Sequence, residues 1–295
     1  MAAKRSFIEL TYYETYYFSN VVKNVLENQF EYIRQLDDFY GDGRHLNYAH
    51  PFPKFSAFHS FIRFIIGDVL SEDVQNIKLD ILQDDAARLS SMPSRPLDLH
   101  PSKLPVNLAL DRFGIVHEPF EKWLSSRGNS FLDATDGDVE EYYDDLCARG
   151  QVPALLDRTA AEVFFVLFQN RSSLLRFNEM MARQMGQDCR ENVANATLGH
   201  LFSRRGVLRR VSIPSWARRA VFFRDRGLCV ICASDLSGVL AIGSEENYDH
   251  IVPLASGGLN DVTNIQLLCR RCNAKKLAGD AATTSRYEAW YPDHE

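Results

Sequence analysis

Through the first 190 residues, apolar positions recur mostly at helical spacing. From Ser6 to Leu36 the series Leu10, Tyr13, Tyr17, Val21 or Val22, Val25 and Phe30 keeps one face apolar, which predicts an amphipathic helix. Gly41-Asp42-Gly43 breaks that pattern, and His50-Pro51-Phe52-Pro53 holds the chain extended. Further helices are expected over Phe55–Leu70 and Asp73–Leu89, around Phe120–Leu124, and over Asp138–Cys147. Arg158–Met185 has the broadest apolar face and is expected to sit centrally among them. Pro93, Pro96, Pro101 and Pro105 exclude regular helix or central strand from residues 92–105, leaving a boundary or a long surface loop.

The period changes towards the carboxyl end. Gln187–His200 is polar and Asn-rich, and Arg204, Arg205, Arg209 and Arg210 follow as a basic connector. Pro214-Ser215-Trp216 opens a short helix through Phe223. A β-prone run then ends at Asp249-His250, and Gly257-Gly258 marks a turn. Ile265, Leu267 and Leu268 read as a short return strand, and a helical stretch carries Lys275 and Lys276. The fold class expected is a mainly α amino-terminal domain (1–190), a connector (191–210) and a small α+β domain (211–295). Tyr287, Trp290 and Tyr291 are expected to pack back onto that small domain.

Composition suits a soluble globular chain of two or three domains, with 45% hydrophobic and 24% charged residues. The longest apolar stretches, Phe61–Ile66 and Val163–Phe168, are too short to span a bilayer, and no secretory pattern opens the chain, so a cytoplasmic location is expected. The net charge of −6 conceals a division. Residues 204–276 hold 12 Lys/Arg against 6 Asp/Glu, whereas residues 1–203 hold 20 against 29. Overall acidity is therefore no argument against a nucleic-acid partner for the basic segment.

Several polar features have plain structural readings. The cluster Tyr12, Tyr13, Tyr16, Tyr17 and Phe18 could stack bases, but no basic residues interleave with it, so helix packing is expected. His59 lies in an apolar, aromatic context and reads as a packed, hydrogen-bonded histidine. Asp136 and Asp138 read as helix-start residues, because the oxygen ligands and glycine around them lack calcium-loop spacing.

Four of the six cysteines form two CxxC pairs, Cys229/Cys232 and Cys269/Cys272, separated by 36 residues. Each CxxC turn sets two thiolates about one tetrahedral edge apart, and two turns complete a four-sulfur site for structural Zn²⁺. Two disulfides are the alternative, disfavoured without a secretory signal. Cys147 and Cys189 have no partner pattern.

Between and just behind these cysteines stand Asp249-His250, Asn264 and Asn273. The stretches DHIVPLASGG, TNIQLLC and CRRCNAKK resemble the HNH (ββα-metal) nuclease family over roughly residues 207–279, with Asn273 in place of the final histidine. The resemblance implies a strand into Asp249-His250, a loop turned by Ser256-Gly257-Gly258, a return strand over Asn264–Leu268 and a helix from about Arg270. It also implies a metal-dependent endonuclease that leaves 5′-phosphate and 3′-hydroxyl ends. A neutral imidazole suits the general base, which gives that role to His250. Asp249 and Asn273 supply oxygen ligands for a hard divalent ion, Mg²⁺ or Mn²⁺, and Asn264 orients His250. Arg270, Arg271, Lys275, Lys276, Arg209 and Arg210 are candidate phosphate contacts.

Double-stranded DNA is the expected substrate, and an HNH module behind an unrelated domain suggests bacterial restriction or anti-phage defence. The acidic amino-terminal domain would restrain the module or receive a partner or trigger. Two other readings are a zinc-stabilised nucleic-acid-binding or regulatory protein that does not cut, and a structure-specific or nicking nuclease of repair.

Overall fold

A computed structural model describes residues 7–90, 103–187, 193–195, 197–238, 246–276 and 281–285. Cys189, Pro93, Pro96, Pro101, Tyr287, Trp290 and Tyr291 fall outside these residues, as do the side chains of Leu10, Tyr12 and Tyr13.

Among the described residues there are eleven α-helices and one two-stranded antiparallel sheet. The helices are α1 (Phe7–Glu27), α2 (Ile33–Tyr40), α3 (Ala57–Gln75), α4 (Leu79–Ser90), α5 (Pro105–Arg112) and α6 (Phe120–Ser126). They continue with α7 (Asp136–Ala148), α8 (Gln151–Leu167), α9 (Arg171–Gln187), α10 (Ser215–Arg224) and α11 (Arg270–Lys276). The strands are β1 (Glu246–His250) and β2 (Ile265–Cys269). No helix among the described residues is long and apolar enough to cross a membrane.

Two expected helices are each divided. The Ser6–Leu36 pattern breaks after Glu27, where Asn28 gives both its backbone N–H, at 2.9 Å, and its side-chain amide, at 3.1 Å, to the Asn24 carbonyl. The Arg158–Met185 pattern breaks at residues 168–170. There Asn170 Oδ1 accepts from Ser173 N at 2.9 Å and caps a new helix, α9. Apolar periodicity survives both breaks, so the pattern alone hides them. Pro105 occupies the first turn of α5, and Thr135 with Asp138 forms a capping box at the start of α7.

Contacts divide the chain into two compact units. One comprises Met1–Tyr16 with Arg63–Glu162, the other Tyr17–Ile62 with Val163–Glu295. The first packs α5, α6 and α7 around Trp123, Phe120, Tyr142 and Leu110, which are all buried. Tyr142 donates to Glu118 O and accepts from Asn107 Nδ2, so its hydroxyl is satisfied inside the core.

The second unit carries the cysteine pairs and takes in segments from much earlier in the chain. Phe39, Phe58, Phe61 and Phe177 form its buried aromatic centre. His59 stacks on Phe164, with ring centroids 3.5 Å apart, and its Nδ1 accepts from Ser56 N. Tyr16 and Tyr17 are exposed while Phe18 is buried.

A buried ionic cluster fixes the hairpin to the helices of this unit. Asp225 has a fully buried carboxylate that receives Arg224 Nε at 2.8 Å, Arg171 Nη1 at 3.3 Å and the Leu267 amide at 2.9 Å. Arg224 also donates to Ile265 O. One carboxylate thus ties α9, α10 and β2 together. Two cations share it, with the Leu267 amide and the Ile265 carbonyl adding backbone bonds, while Arg224 Nη1 stays buried without a partner.

Candidate active site and metal centre

The hairpin sets the frame. β1 pairs antiparallel with β2 so that Glu246 faces Cys269, Asp249 faces Gln266 and His250 faces Ile265. α11 begins directly after Cys269, so the second CxxC straddles the junction of strand and helix. The first CxxC is pinned to β2 by Val230 N donating to Leu267 O at 3.1 Å. Its turn closes through Cys229 N to Ser234 O, with Ala233 in the left-handed region at φ 61°.

The four sulfurs lie within 4.8 Å of one another, with Cys232 and Cys269 Sγ 3.7 Å apart, and none is in a disulfide. Four thiols this close cannot all ionise without a cation among them. A hydrogen bond with the Ser234 hydroxyl draws Cys232 down to about 6, while burial and the neighbouring sulfurs push Cys272 up to about 12. A Zn²⁺ held by Cys229, Cys232, Cys269 and Cys272 would resolve that conflict, and the four-sulfur donor set fits it.

The loop between the strands is built tightly. Gly257 adopts φ 89°, and a Cβ there would meet Ala182 O of α9 at 2.4 Å. A Cβ on Gly258 would meet Val252 O at 2.1 Å. Both positions therefore require glycine. Asn264 is fully buried beneath this loop. Its Oδ1 accepts from Val252 N at 2.8 Å, and its Nδ2 donates to Val252 O and Leu259 O, each at 2.9 Å. One amide side chain thereby fixes both flanks of the loop behind His250.

His250 ends β1, 2% exposed. Its Nε2 lies 3.3 Å from Asn260 Oδ1, while Nδ1 is buried without a hydrogen-bond partner. Burial, then the nearby Arg210 guanidinium, push its pKa down to about 4, against the upward pull of the Asn260 hydrogen bond and the Asp249 carboxylate. The imidazole is thus neutral at neutral pH.

Asp249 Oδ2 is buried too and has no donor aligned to it, although Lys276 Nζ stands 2.8 Å away as an ion pair. Lys276 Nζ also donates to His250 O at 2.6 Å. The expectation of Lys276 as a phosphate contact needs correction. Its side chain is buried, and its charge is directed at Asp249 and the His250 carbonyl. Asn273 is half-buried on α11, one turn before Lys276 and so on the same side of the helix. The Asp249 carboxylate and the Asn273 amide are oxygen donors of the kind a hard divalent ion takes.

The remaining basic residues are distributed unevenly. Arg271 and Lys275 are exposed on α11, as is Arg270, which has interactions of its own. Arg210 is exposed yet close enough to His250 to act on its protonation. Arg209 donates through Nε to Phe202 O, and its carbonyl receives Asn260 Nδ2 at 2.9 Å. Asn260 was not among the residues expected at the site. An Asn-Asp pair after Gly-Gly reads as ordinary turn chemistry, and only its partners in space mark it out.

Residues 229–279 match the family model described as HNH endonuclease. The match spans both cysteine pairs, the hairpin and α11, and no family is found for the region before it. None of the curated proteins and none of the solved structures matches the chain. An HNH domain brings a nuclease-type function and a nucleic-acid substrate.

Proposed function

We propose that this protein is a metal-dependent endonuclease that hydrolyses phosphodiester bonds in double-stranded DNA, with His250 as general base. One observation carries the reading. At the end of β1, His250 Nδ1 is buried without a hydrogen-bond partner, directly beside the Asp249 carboxylate, whose Oδ2 is ion-paired with Lys276 Nζ at 2.8 Å. A buried polar atom left unpaired costs about 1–3 kcal/mol, and a basic nitrogen kept bare beside a carboxylate suits a base awaiting its water.

The chemistry follows from the donor types. His250 Nδ1 takes a proton from water, whose oxygen attacks phosphorus as the bond to the 3′-oxygen breaks. That oxygen leaves as a 3′-hydroxyl once protonated, and the phosphate stays on the 5′ end. Asp249 and Asn273 would hold one Mg²⁺ or Mn²⁺. When bound, that ion neutralises charge on the phosphate and on the departing oxygen. Asn264 keeps the loop from shifting under His250. Arg210, Arg271 and Lys275 contact the phosphate backbone, which suits the basic balance of residues 204–276.

The test sets wild-type protein beside His250→Ala on plasmid and linear DNA, with Mg²⁺ or Mn²⁺ and then with EDTA. Cutting by wild type alone, lost in EDTA, with zinc content and melting temperature unchanged in the variant, is the expected result. Cleavage by His250→Ala near the wild-type rate would remove His250 as base. Absence of cutting by either, with DNA still bound, would replace the nuclease with a binding protein.

A further inference from the structure

We infer that Asn260 is the positioning residue that sets the tautomer of His250, and that the segment ahead of α3 holds Asn260 in place. The inference rests on the nuclease reading for its catalytic meaning, though not for its geometry. Asn260 Nδ2 is committed to the Arg209 carbonyl at 2.9 Å. That fixes which end of the amide faces the imidazole: the oxygen, 3.3 Å from His250 Nε2. An oxygen can only accept, so Nε2 must carry the proton and Nδ1 must carry the lone pair. Nδ1 is the nitrogen without a partner. The side chain therefore does two things at once, orienting the ring and leaving its basic nitrogen open.

Asn260 is itself held from a distant part of the chain. Its carbonyl receives Phe52 N at 2.8 Å, with Phe52 in the left-handed region at φ 50°. The next residue, Asp261, is fully buried and accepts Ala57 N at 3.0 Å, capping the first turn of α3. Its other oxygen takes Thr263 N and Oγ1. Residues 52–57 thus grip the loop at two consecutive positions, and the basic connector holds the first of them, Asn260, a second time. Displacement of a positioned group by about 1 Å can cost about 10²-fold in rate, so a grip of this kind is felt at the base.

The experiment uses full-length protein labelled with ¹⁵N-histidine, the His250 signals being assigned by their absence from His250→Ala. Two-bond ¹H–¹⁵N spectra report which ring nitrogen is protonated. In wild type, His250 should be a single Nε2–H tautomer. Asn260→Ala should mix the tautomers and lower kcat about 10- to 100-fold, with KM within about twofold. Asn260→Asp keeps an acceptor towards His250 and should restore the single tautomer. It also serves if the alanine variant does not fold. A wild-type His250 protonated on Nδ1 or mixed between tautomers would overturn the inference, as would Asn260→Ala with tautomer and kcat unchanged. A fixed Nε2–H tautomer in a protein that never cuts would leave Asn260 its role and remove the nuclease reading instead.

Discussion

Lys276 Nζ lies 2.8 Å from Asp249 Oδ2 and donates to the His250 carbonyl at 2.6 Å, so one buried ammonium serves two neighbouring residues of β1. Without a divalent ion, it is the charge that makes burial of the Asp249 carboxylate tolerable. Lys276→Met keeps the apolar stem and removes that charge. We expect a loss of about 1–3 kcal/mol in folding stability, because the half-buried carboxylate loses its cation while part of it still reaches solvent. Urea unfolding should show it, and added Mg²⁺ should recover more stability in the variant than it adds to wild type.

Zinc is expected to hold this unit folded. Cys229→Ser should bind less than one Zn²⁺ per chain and lose the cooperative melting of the second unit, because structural zinc contributes on the order of 10 kcal/mol to folding. Metal analysis and calorimetry on the same preparation check this. A zinc-free variant with unchanged melting would remove the role.

Stability should fall in mild acid. Burial lowers His59 from its ordinary 6.5 to about 4. Between those values the unfolded chain binds the extra proton, so this contribution is complete above about pH 6.5 and is lost progressively towards pH 4. The full loss is on the order of 2–3 kcal/mol. His250 is displaced in the same direction and adds to it. Unfolding free energies at pH 7, 6 and 5 should decline in wild type, and less steeply in His59→Gln.

Asp225→Ala would leave Arg171 and Arg224 facing each other without their shared carboxylate and would free the Leu267 amide. A loss of about 3–5 kcal/mol is expected from such a break. Thermal melts of the variant measure it. Asp225→Asn, which keeps the acceptor for Leu267 N, should lose less.

A fragment spanning 204–295 should not fold as the full chain does. It lacks Arg171, Ala57, Phe52 and Ala182, which bind or press against Asp225, Asp261, Asn260 and Gly257. Circular dichroism and zinc content of the fragment should show partial structure and weak metal retention. A well-folded, zinc-loaded fragment would show those contacts to be dispensable.

The parts of the site legible in the sequence are those written in local chemistry. The CxxC spacings, the Gly-Gly turn and the apolar run of Ile265, Leu267 and Leu268 are local signals, and the hairpin and α11 lie where these signals point, within a residue or two. Lys276 was legible as a cation on a helix but not as a buried one, because three helical positions from Asn273 the chain turns it towards β1. Asn170 opens a new helix and Asn28 closes one inside apolar periods that run straight through them. Asn260, Asp261, Arg171 and Asp225 owe their meaning to partners far along the chain, which periodicity cannot register.

The bond from Ala57 N to Asp261 joins residues 204 positions apart. On a ribosome adding about 5–20 residues per second, the second emerges some 10–40 s after the first. Throughout that interval the nascent chain has neither the loop that packs against His250 nor the second cysteine pair. On the proposed nuclease reading, a chain released before residue 261 has been made lacks the assembled site.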